Sequence, residues 1–347
     1  MTDVAILGEL AYWQQTGIRV GAGLAAVLLV AGTLVYLFDG SNHGKAETKI
    51  LRGALEGGFG DLTLTGKLDY FTSDGDGPSG QNRGVFERDT FDLSIDERGN
   101  YDNEIWTGSL TAEVDIGPGT LTNIFGYRDY SATTLGDIDS LPIFGFHSST
   151  ETEHDQISNE IRYAISTDNF DLTIGGFYFD QSIAYTETRD LPPLSPLTFY
   201  GGGSQDHEVL GAFAASQYYL TSDFSVIAGI RWSREEKYAG VTYVRPRPEC
   251  SVVGGTCPTS GTNPFIPTEN NGFEDGRSWT NWSPKFGFQY EFDDSQIYAH
   301  WTRGYRSGGY NFRITNATVF ETVVVPATSL MASALILGSK SGTILMC

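Results

Sequence analysis

The sequence has few of the residues on which catalytic and metal-binding motifs depend. Its 347 residues include three cysteines and five histidines, and none of them stands in a CxxC, Cys/His zinc or HExxH spacing. It contains no GxSxG nucleophile elbow. The formal GxGxxG match at residues 75–80 includes Pro78 and precedes no predicted helix, so it fails as a dinucleotide-binding fingerprint. We therefore predict that the protein is not an enzyme and holds neither a cofactor nor a metal ion.

Positive charge is also scarce. Lysine and arginine total 22 against 43 aspartate and glutamate residues, which leaves a net charge of −21. A surface of this sign repels nucleic acids, so we predict no nucleic-acid partner. The acidic character is typical of polar loops that face solvent.

Two of the cysteines lie close together in a segment rich in Gly, Pro and Thr. Cys250 and Cys257 would enclose a small loop, and such a pair is typical of a disulfide formed in an oxidising compartment. We predict this disulfide; the alternative is a pair of free thiols. Cys347 is the last residue of the sequence.

The sequence has no convincing amphipathic helix, and its one long apolar run is at residues 21–38. That run is long enough for a membrane-spanning helix. It is a poor secretory signal peptide, because Asp3 and Glu9 precede it and Arg19 is its only nearby cation. Two interpretations stay open: a signal anchor, or a displaced piece of a larger protein.

What the sequence does have is alternation with a period of two. Phe286, Phe288, Tyr290 and Phe292 alternate with polar residues and glycine, and a tight polar turn then leads into a second strand. Similar alternation recurs from residue 48 onward, so we predict roughly ten or eleven strands. A soluble sheet or a membrane barrel would both give this pattern.

The connections between these strands alternate in length. Short turns rich in Gly, Asp, Asn or Ser are predicted at residues 57–61, 117–119, 167–169, 221–223 and 293–295. Long loops are predicted at residues 73–86, 133–150, 188–206 and 238–277. Regular alternation places all short turns at one end of the sheet and all long loops at the other. Outer-membrane barrels have this polarity.

Three segments resemble TonB-dependent outer-membrane receptors. Residues 301–312, WTRGYRSGGYNF, resemble a barrel segment of that family, and residues 211–232 and 156–163 are similar to two other recurring strand motifs. The resemblance covers about residues 39 to 315. It implies a structural role in the barrel for Arg303, Gly304, Ser307, Gly308, Gly309 and Asn311.

The resemblance implies an all-β fold, an antiparallel meander that forms part of a transmembrane β-barrel. The family barrel has about 22 strands around a plugged lumen, and this chain supplies roughly half of them. We find neither the plug signature nor the TonB-binding box, so we expect an internal, unclosed part of the barrel. The predicted organisation is a hydrophobic segment at 1–40, helical if it spans a membrane, a partial barrel at 41–315 and an irregular tail at 316–347.

The function implied by the resemblance is energy-coupled uptake of a scarce nutrient across the outer membrane of a Gram-negative bacterium. The partners implied are outer-membrane lipid, a siderophore, cobalamin or glycan at the external loops, and TonB for the intact family member. Without a plug, the chain alone is not expected to transport. The alternatives are a passive outer-membrane porin or adhesin barrel, and a soluble secreted β-sandwich that binds glycans.

Overall fold

The computed structural model describes residues 42–87, 92–246, 274–292 and 295–313 in full, and the backbone alone at 18–29, 34–36, 272–273, 328–339 and 344–346. All the regular secondary structure in these ranges is β-strand. Over the same ranges, the chain forms no helix with the length and hydropathy of a membrane span. The strands are β1 (Ile18–Leu29), β2 (Leu34–Tyr36), β3 (Asn42–His43), β4 (Ala46–Phe59), β5 (Leu62–Gly75), β6 (Asp92–Leu93), β7 (Asn100–Ile116), β8 (Gly119–Asp137), β9 (His147–Ser166), β10 (Phe170–Asp190), β11 (Phe199–Tyr219), β12 (Phe224–Pro246), β13 (Gly272–Phe292), β14 (Ser295–Arg306), β15 (Thr328–Ser339) and β16 (Ile344–Met346).

Thirteen of these strands form one antiparallel meander. Their order across the sheet is β1-β4-β5-β7-β8-β9-β10-β11-β12-β13-β14-β15-β16. A separate three-stranded sheet has the order β3-β2-β6, in which β2 pairs with β6 in parallel. In the described backbone β1 pairs with β4 alone and β16 with β15 alone, so the large sheet is open at both edges. The predicted antiparallel, unclosed meander is confirmed, with more strands than the predicted ten or eleven.

The short turns fall where the sequence predicts them. β4 ends at Phe59 and β5 begins at Leu62, and the β7–β8, β9–β10 and β11–β12 connections are similarly short. The strands are longer than predicted at the opposite end. β8 runs to Asp137 and β9 starts at His147, which shortens the predicted 133–150 loop to residues 138–146. Backbone pairing therefore continues past the point where the apolar alternation stops.

Near both ends of the chain the described backbone forms strands that the sequence does not predict. A helix is permitted by the hydropathy of residues 21–38, but Ile18–Leu29 is a strand paired antiparallel with β4. The tail beyond residue 316 is predicted to be irregular, but Thr328–Ser339 pairs with β14 over twelve residues. Both segments are apolar runs without clear alternation, so their sequences alone do not reveal a strand.

The pairing register collects apolar side chains on one face of the large sheet. Ile174 and Ile230 on this side are 46% and 47% exposed, which is unusual for large apolar residues unless lipid or a partner covers them. We call this side the apolar face. One row across it consists of Val114, Leu121, Tyr163, Ile174, Ala214 and Ile230.

The same face becomes polar towards the long loops. Asp129, Asp155, Ser182 and Asp206 form one row across four strands. β8 then continues from Asp129 to Asp137, which adds roughly 25 Å of strand on the loop side. The strands therefore consist of an apolar band near the short turns and a polar extension that carries the long loops.

Alternate residues of each strand form the opposite side, which we call the polar face. In β8 and β9 these residues include Thr122, Gln156, Ser158, Glu160 and Arg162. Few apolar side chains of the described residues are buried, and some of them form two small clusters, one of Leu93 and Ile95, the other of Val241 and Tyr243. A soluble β-sandwich would need two extended sheets packed around a core, so the sandwich alternative does not fit one thirteen-stranded sheet with so few buried apolar side chains.

Candidate functional site: the segment that crosses the polar face

A short segment after β14 lies against the polar face of β10 to β13. Pairing of β14 with β13 ends at Thr302 and its pairing with β15 ends at Arg306, so the chain can leave the sheet after Arg306. We call residues 307–313 the crossing segment. Its contacts extend across β13, β12, β11 and β10, at the end of the polar face that is nearer the long loops.

The first part of the crossing segment is held by a lysine. Lys237 of β12 donates from Nζ to Ser307 Oγ at 2.8 Å and to the Gly308 carbonyl oxygen at 2.7 Å. Next, Tyr310 donates its hydroxyl to Asp275 Oδ2 of β13 at 2.8 Å. Burial, and then this bond to Asp275, raise the pKa of Tyr310. These contacts fix the backbone of residues 307–310 on β12 and β13.

An aromatic residue anchors the middle of the segment. Phe312 packs against Val241 and Tyr243, and its ring stacks on Tyr185 with the centroids 6.5 Å apart. Gly203 of β11 lies under the ring, and a Cβ there would collide with the ring atoms. The absence of a side chain at Gly203 therefore leaves the space in which the Phe312 ring packs against the sheet.

The end of the segment closes a buried ionic cluster around Glu187 of β10, whose side chain is 0% exposed. Arg313 donates from Nε to Oε2 at 2.9 Å and from Nη2 to Oε1 at 2.8 Å. Arg189 donates to Oε1 at 2.6 Å, and the Tyr185 hydroxyl donates to Oε2 at 3.1 Å. Both carboxylate oxygens thus accept two bonds, as a buried charge requires.

The pKa values of this cluster follow from the same contacts. Burial would raise the pKa of Glu187, but the hydrogen bonds from Arg189 and Arg313 outweigh it and lower the pKa. Burial, and then the charge of Glu187, raise the pKa of Tyr185 to about 12. At neutral pH the cluster is therefore one carboxylate, two guanidinium groups and a neutral phenol.

The structure divides the predicted barrel-motif residues between a strand and the crossing segment. Arg303 and Gly304 are in β14. Ser307, Gly308, Gly309 and Asn311 are in the crossing segment, where Asn311 Oδ1 accepts from the Arg313 backbone N–H at 2.9 Å. Their structural role stays a proposal. Cys250 and Cys257 lie outside the described residues, and their disulfide stays a prediction.

Sequence reasoning missed Glu187, Arg189 and Arg313. In the sequence, Glu187 and Arg189 are ordinary alternating residues of a strand end, and Arg313 directly follows the recognised motif. Nothing in either pattern signals a contact over 126 positions. The proximity of Arg313 to the motif is the one signal that could have drawn attention to it.

A second group of side chains lies at the loop end of β8 and β9. Asp96 Oδ1 is 2.8 Å from His147 Nε2, and the Asp96 backbone N–H donates to Asp137 Oδ2 at 3.0 Å. The donor atoms of these three residues all lie within 4.8 Å of one another. This is the one such group among the described residues, and it could hold a metal ion.

The sheet resembles solved outer-membrane receptors at low sequence identity. The ferric yersiniabactin uptake receptor FyuA from Yersinia pestis is 15% identical, with a TM-score of 0.68 over 92% of this chain and 49% of that one. The siderophore receptor PiuA from Acinetobacter baumannii is 12% identical, with a TM-score of 0.66 over 93% and 50%. The ferric citrate transporter FecA is 12% identical, with a TM-score of 0.64 over 94% and 46%. The chain spans about half the length of these proteins.

The family itself is established by the sequence. Among curated proteins, no match to the chain is found. The model of the TonB dependent receptor-like β-barrel matches residues 45–330, which is most of the chain. The open antiparallel meander, its apolar band and its loop polarity agree with that match. The chain therefore belongs to the TonB-dependent receptors and provides part of their β-barrel.

Proposed function

We propose that the protein is part of the barrel wall of an outer-membrane receptor that imports a metal–chelate complex of siderophore type, with energy from TonB. The observation that carries this proposal is the polarity of the sheet. The polar strand extensions and long loops gather at one end, and the apolar band and short turns occupy the other. In an outer membrane this arrangement directs the long loops to the cell exterior. The names of FyuA and PiuA, a ferric yersiniabactin and a siderophore receptor, support the ligand class.

Apolar side chains at the loop ends are candidates for the first contact with such a ligand. Ile143, in the β8–β9 loop, is 61% exposed, and Leu194, in the β10–β11 loop, is 74% exposed. Exposed apolar groups rimmed by polar residues are typical of binding surfaces. Leu220, at the short-turn end, is 53% exposed and provides a matched control.

Ligand binding tests the proposal directly. The chain, refolded from inclusion bodies into detergent, would be titrated with ferric citrate, a ferric hydroxamate, a ferric catecholate, cobalamin and an oligosaccharide. We expect one ferric chelate to quench the tryptophan fluorescence saturably. The double variant Ile143→Ser with Leu194→Ser should bind it more weakly, and Leu220→Ser should bind as the parent does. Binding of the oligosaccharide alone would contradict the proposed ligand class.

Energy coupling separates an active receptor from a passive porin. Uptake of the radiolabelled ferric chelate would be measured with the intact receptor, in cells with and without a functional TonB. We expect uptake in the first cells alone. Equal uptake in both would favour the passive porin.

A further inference from the structure

The cluster of Asp96, Asp137 and His147 joins three separate parts of the chain. Asp96 lies in the connection between β6 and β7, Asp137 ends β8 and His147 begins β9. Asp137 and His147 are directly paired across the two strands. Because the three residues are distant in sequence, no ligand spacing signals them, which is why the sequence predicts no metal.

The one basic group of this cluster is the imidazole of His147, against two carboxylates. Asp137 is 4% exposed, and the side chains of Asp96 and His147 are 15% and 14% exposed. Within the described part of the chain, no lysine or arginine forms an ion pair with either aspartate. Two largely buried carboxylates side by side are unfavourable unless a cation accompanies them.

The three side chains are already held in place by neighbours. Asp137 Oδ1 accepts from the Ser140 backbone N–H at 2.7 Å, and Oδ2 accepts from the Asp96 backbone N–H at 3.0 Å. The Phe144 ring lies against the His147 imidazole, with the centroids 4.4 Å apart. Such contacts orient metal ligands and leave further lone pairs on the carboxylate oxygens.

The donor set points to one class of metal. Carboxylate oxygen and imidazole nitrogen are both zinc ligands, and a zinc site with three protein ligands keeps the fourth position open for water. Calcium prefers six to eight oxygen ligands, which this cluster does not supply. We propose that Asp96, Asp137 and His147 bind one divalent ion of the zinc class at the loop end of the barrel. This goes beyond the proposed function, because the ion is bound by the chain itself and not carried as cargo.

Binding would replace the hydrogen bond between Asp96 and His147. The imidazole must offer its Nε2 lone pair to the metal: an imidazolium releases the Nε2 proton to water and keeps the one on Nδ1, and a neutral Nε2–H tautomer gives that proton to water while Nδ1 takes one from it. The ion would then connect the β6–β7 segment to the β8–β9 hairpin. The site would thus fix one external loop against its neighbour.

Zinc titration with ligand-removing variants tests this site. Zinc chloride, without any chelate, would be titrated by calorimetry into the full chain, with its cysteines alkylated in every sample. The test variants are Asp96→Asn and His147→Gln. The control is His207→Gln, since His207 also faces a carboxylate, Glu235, at 3.2 Å but lacks a second one in a metal-binding group.

We expect the parent and the control to bind one equivalent of zinc with equal affinity. Loss of a residue that only supports a metal ligand costs roughly 10–100-fold in metal affinity. Because each test variant loses a ligand itself, we expect its zinc affinity to fall by at least this factor. Equal affinity in all four proteins would overturn the proposal.

A second measurement uses the parent protein alone, so that it does not depend on the folding of any variant. Zinc should slow amide hydrogen exchange in residues 94–99 and 137–147 and leave the crossing segment unchanged. Absence of this protection at saturating zinc would also overturn the proposal. Ferric-chelate binding plays no part in either measurement, so the two proposals can fail separately.

Discussion

Arg313 reaches back over 126 residues to donate two hydrogen bonds to the buried carboxylate of Glu187. The pair connects the last described residue before β15 to the loop-side end of β10. It closes the crossing segment over the polar face, and it does so at the side that carries the long loops. The position of the family motif is therefore fixed partly by a residue just beyond it.

Removing Arg313 should loosen the crossing segment. Arg313→Ala takes two charge-assisted bonds from Glu187 but leaves the bond from Arg189. Because the Arg313 side chain is 59% exposed, we expect a loss of about 1–2 kcal/mol in local stability. Hydrogen exchange of residues 307–313 in detergent would measure it. Arg234→Ala, which removes an exposed pair with Glu236, is the control and should leave that exchange unchanged. Equal effects of the two variants would contradict the assignment.

Acid should release the same segment. The folded pKa of Glu187 is below its ordinary value of 4.5, so its ion pairs contribute stability above about pH 4.5. That contribution is lost as the pH falls from 4.5 through the lower folded pKa. We expect exchange of residues 307–313, corrected for intrinsic rates, to be constant from neutral pH to about pH 5 and to rise below 4.5.

Glu187→Gln separates this group from the other carboxylates. The variant should exchange faster at neutral pH, because the guanidinium groups of Arg189 and Arg313 lose their counter-charge. It should also lack the acid-induced rise. A rise of the parent's size in Glu187→Gln would mean that another carboxylate controls the segment.

The packing of the Phe312 ring against Gly203 can be tested by a pair of substitutions. Gly203→Ala places a Cβ against the Phe312 ring, and we expect a cost of about 1–3 kcal/mol from overpacking. Phe312→Ala removes the obstacle, so the double variant should cost less than the sum of the two changes. Urea unfolding in detergent would measure all three. Gly53→Ala, where a Cβ would meet nothing within 4 Å, is the control. Additive costs would show that the ring does not lie on Gly203.

The strands near the short turns could be predicted because their chemistry is local. The alternation from Phe286 to Phe292 arises because one side of each strand faces an apolar environment. The turn between Phe59 and Leu62 is encoded by Gly60 and Asp61, and Gly60 has the positive φ of 65° that favours glycine.

Other features have no local signal. β15 is an apolar run, so no alternation distinguishes its two sides. Two contacts join residues more than 100 positions apart: the packing of Phe312 against Gly203 and the hydrogen bonds from Arg313 to Glu187. Such contacts depend on which strands the meander brings together. Sequence analysis therefore located the motif but not its partners.

The apolar band predicts that a charged side chain destabilises the sheet more near the middle of the band than near the loops. Ile161 lies near the middle of the apolar part of β9 and is 48% exposed. Ile161→Arg should destabilise the sheet in lipid by about 2–4 kcal/mol, because the guanidinium would face hydrocarbon. Asp155→Arg, six residues towards the loops on the same face, should cost about 1 kcal/mol or less. Urea unfolding in lipid vesicles, followed by gel mobility, would compare them. Equal costs would mean that Asp155 and Ile161 lie at the same depth.

The open edges predict how the chain behaves when it is expressed alone. In hydrocarbon, each unpaired backbone group costs several kcal/mol, so a spanning sheet must close on itself or pair with another chain. β1 and β16 leave such groups unpaired in the described backbone. Closure into a narrower barrel would require a different shear and tilt, for which a strand set of a wide barrel is unsuited. Pairing of two chains would require matched registers at both seams.

We therefore expect that in the cell the chain expressed alone aggregates or is degraded and forms no stable pore, so the measurements in detergent and vesicles use chain refolded from inclusion bodies. Expression with a signal peptide, a heat-modifiability gel and single-channel recording would test this expectation. A detergent-resistant folded band with reproducible conductance would contradict it. In that event cross-linking between cysteines introduced into β4 and β15, the strands next to the edge strands β1 and β16, would decide between closure of one chain and pairing of two chains. Cross-links within one chain would indicate a narrowed barrel, and cross-links between chains would indicate edge pairing.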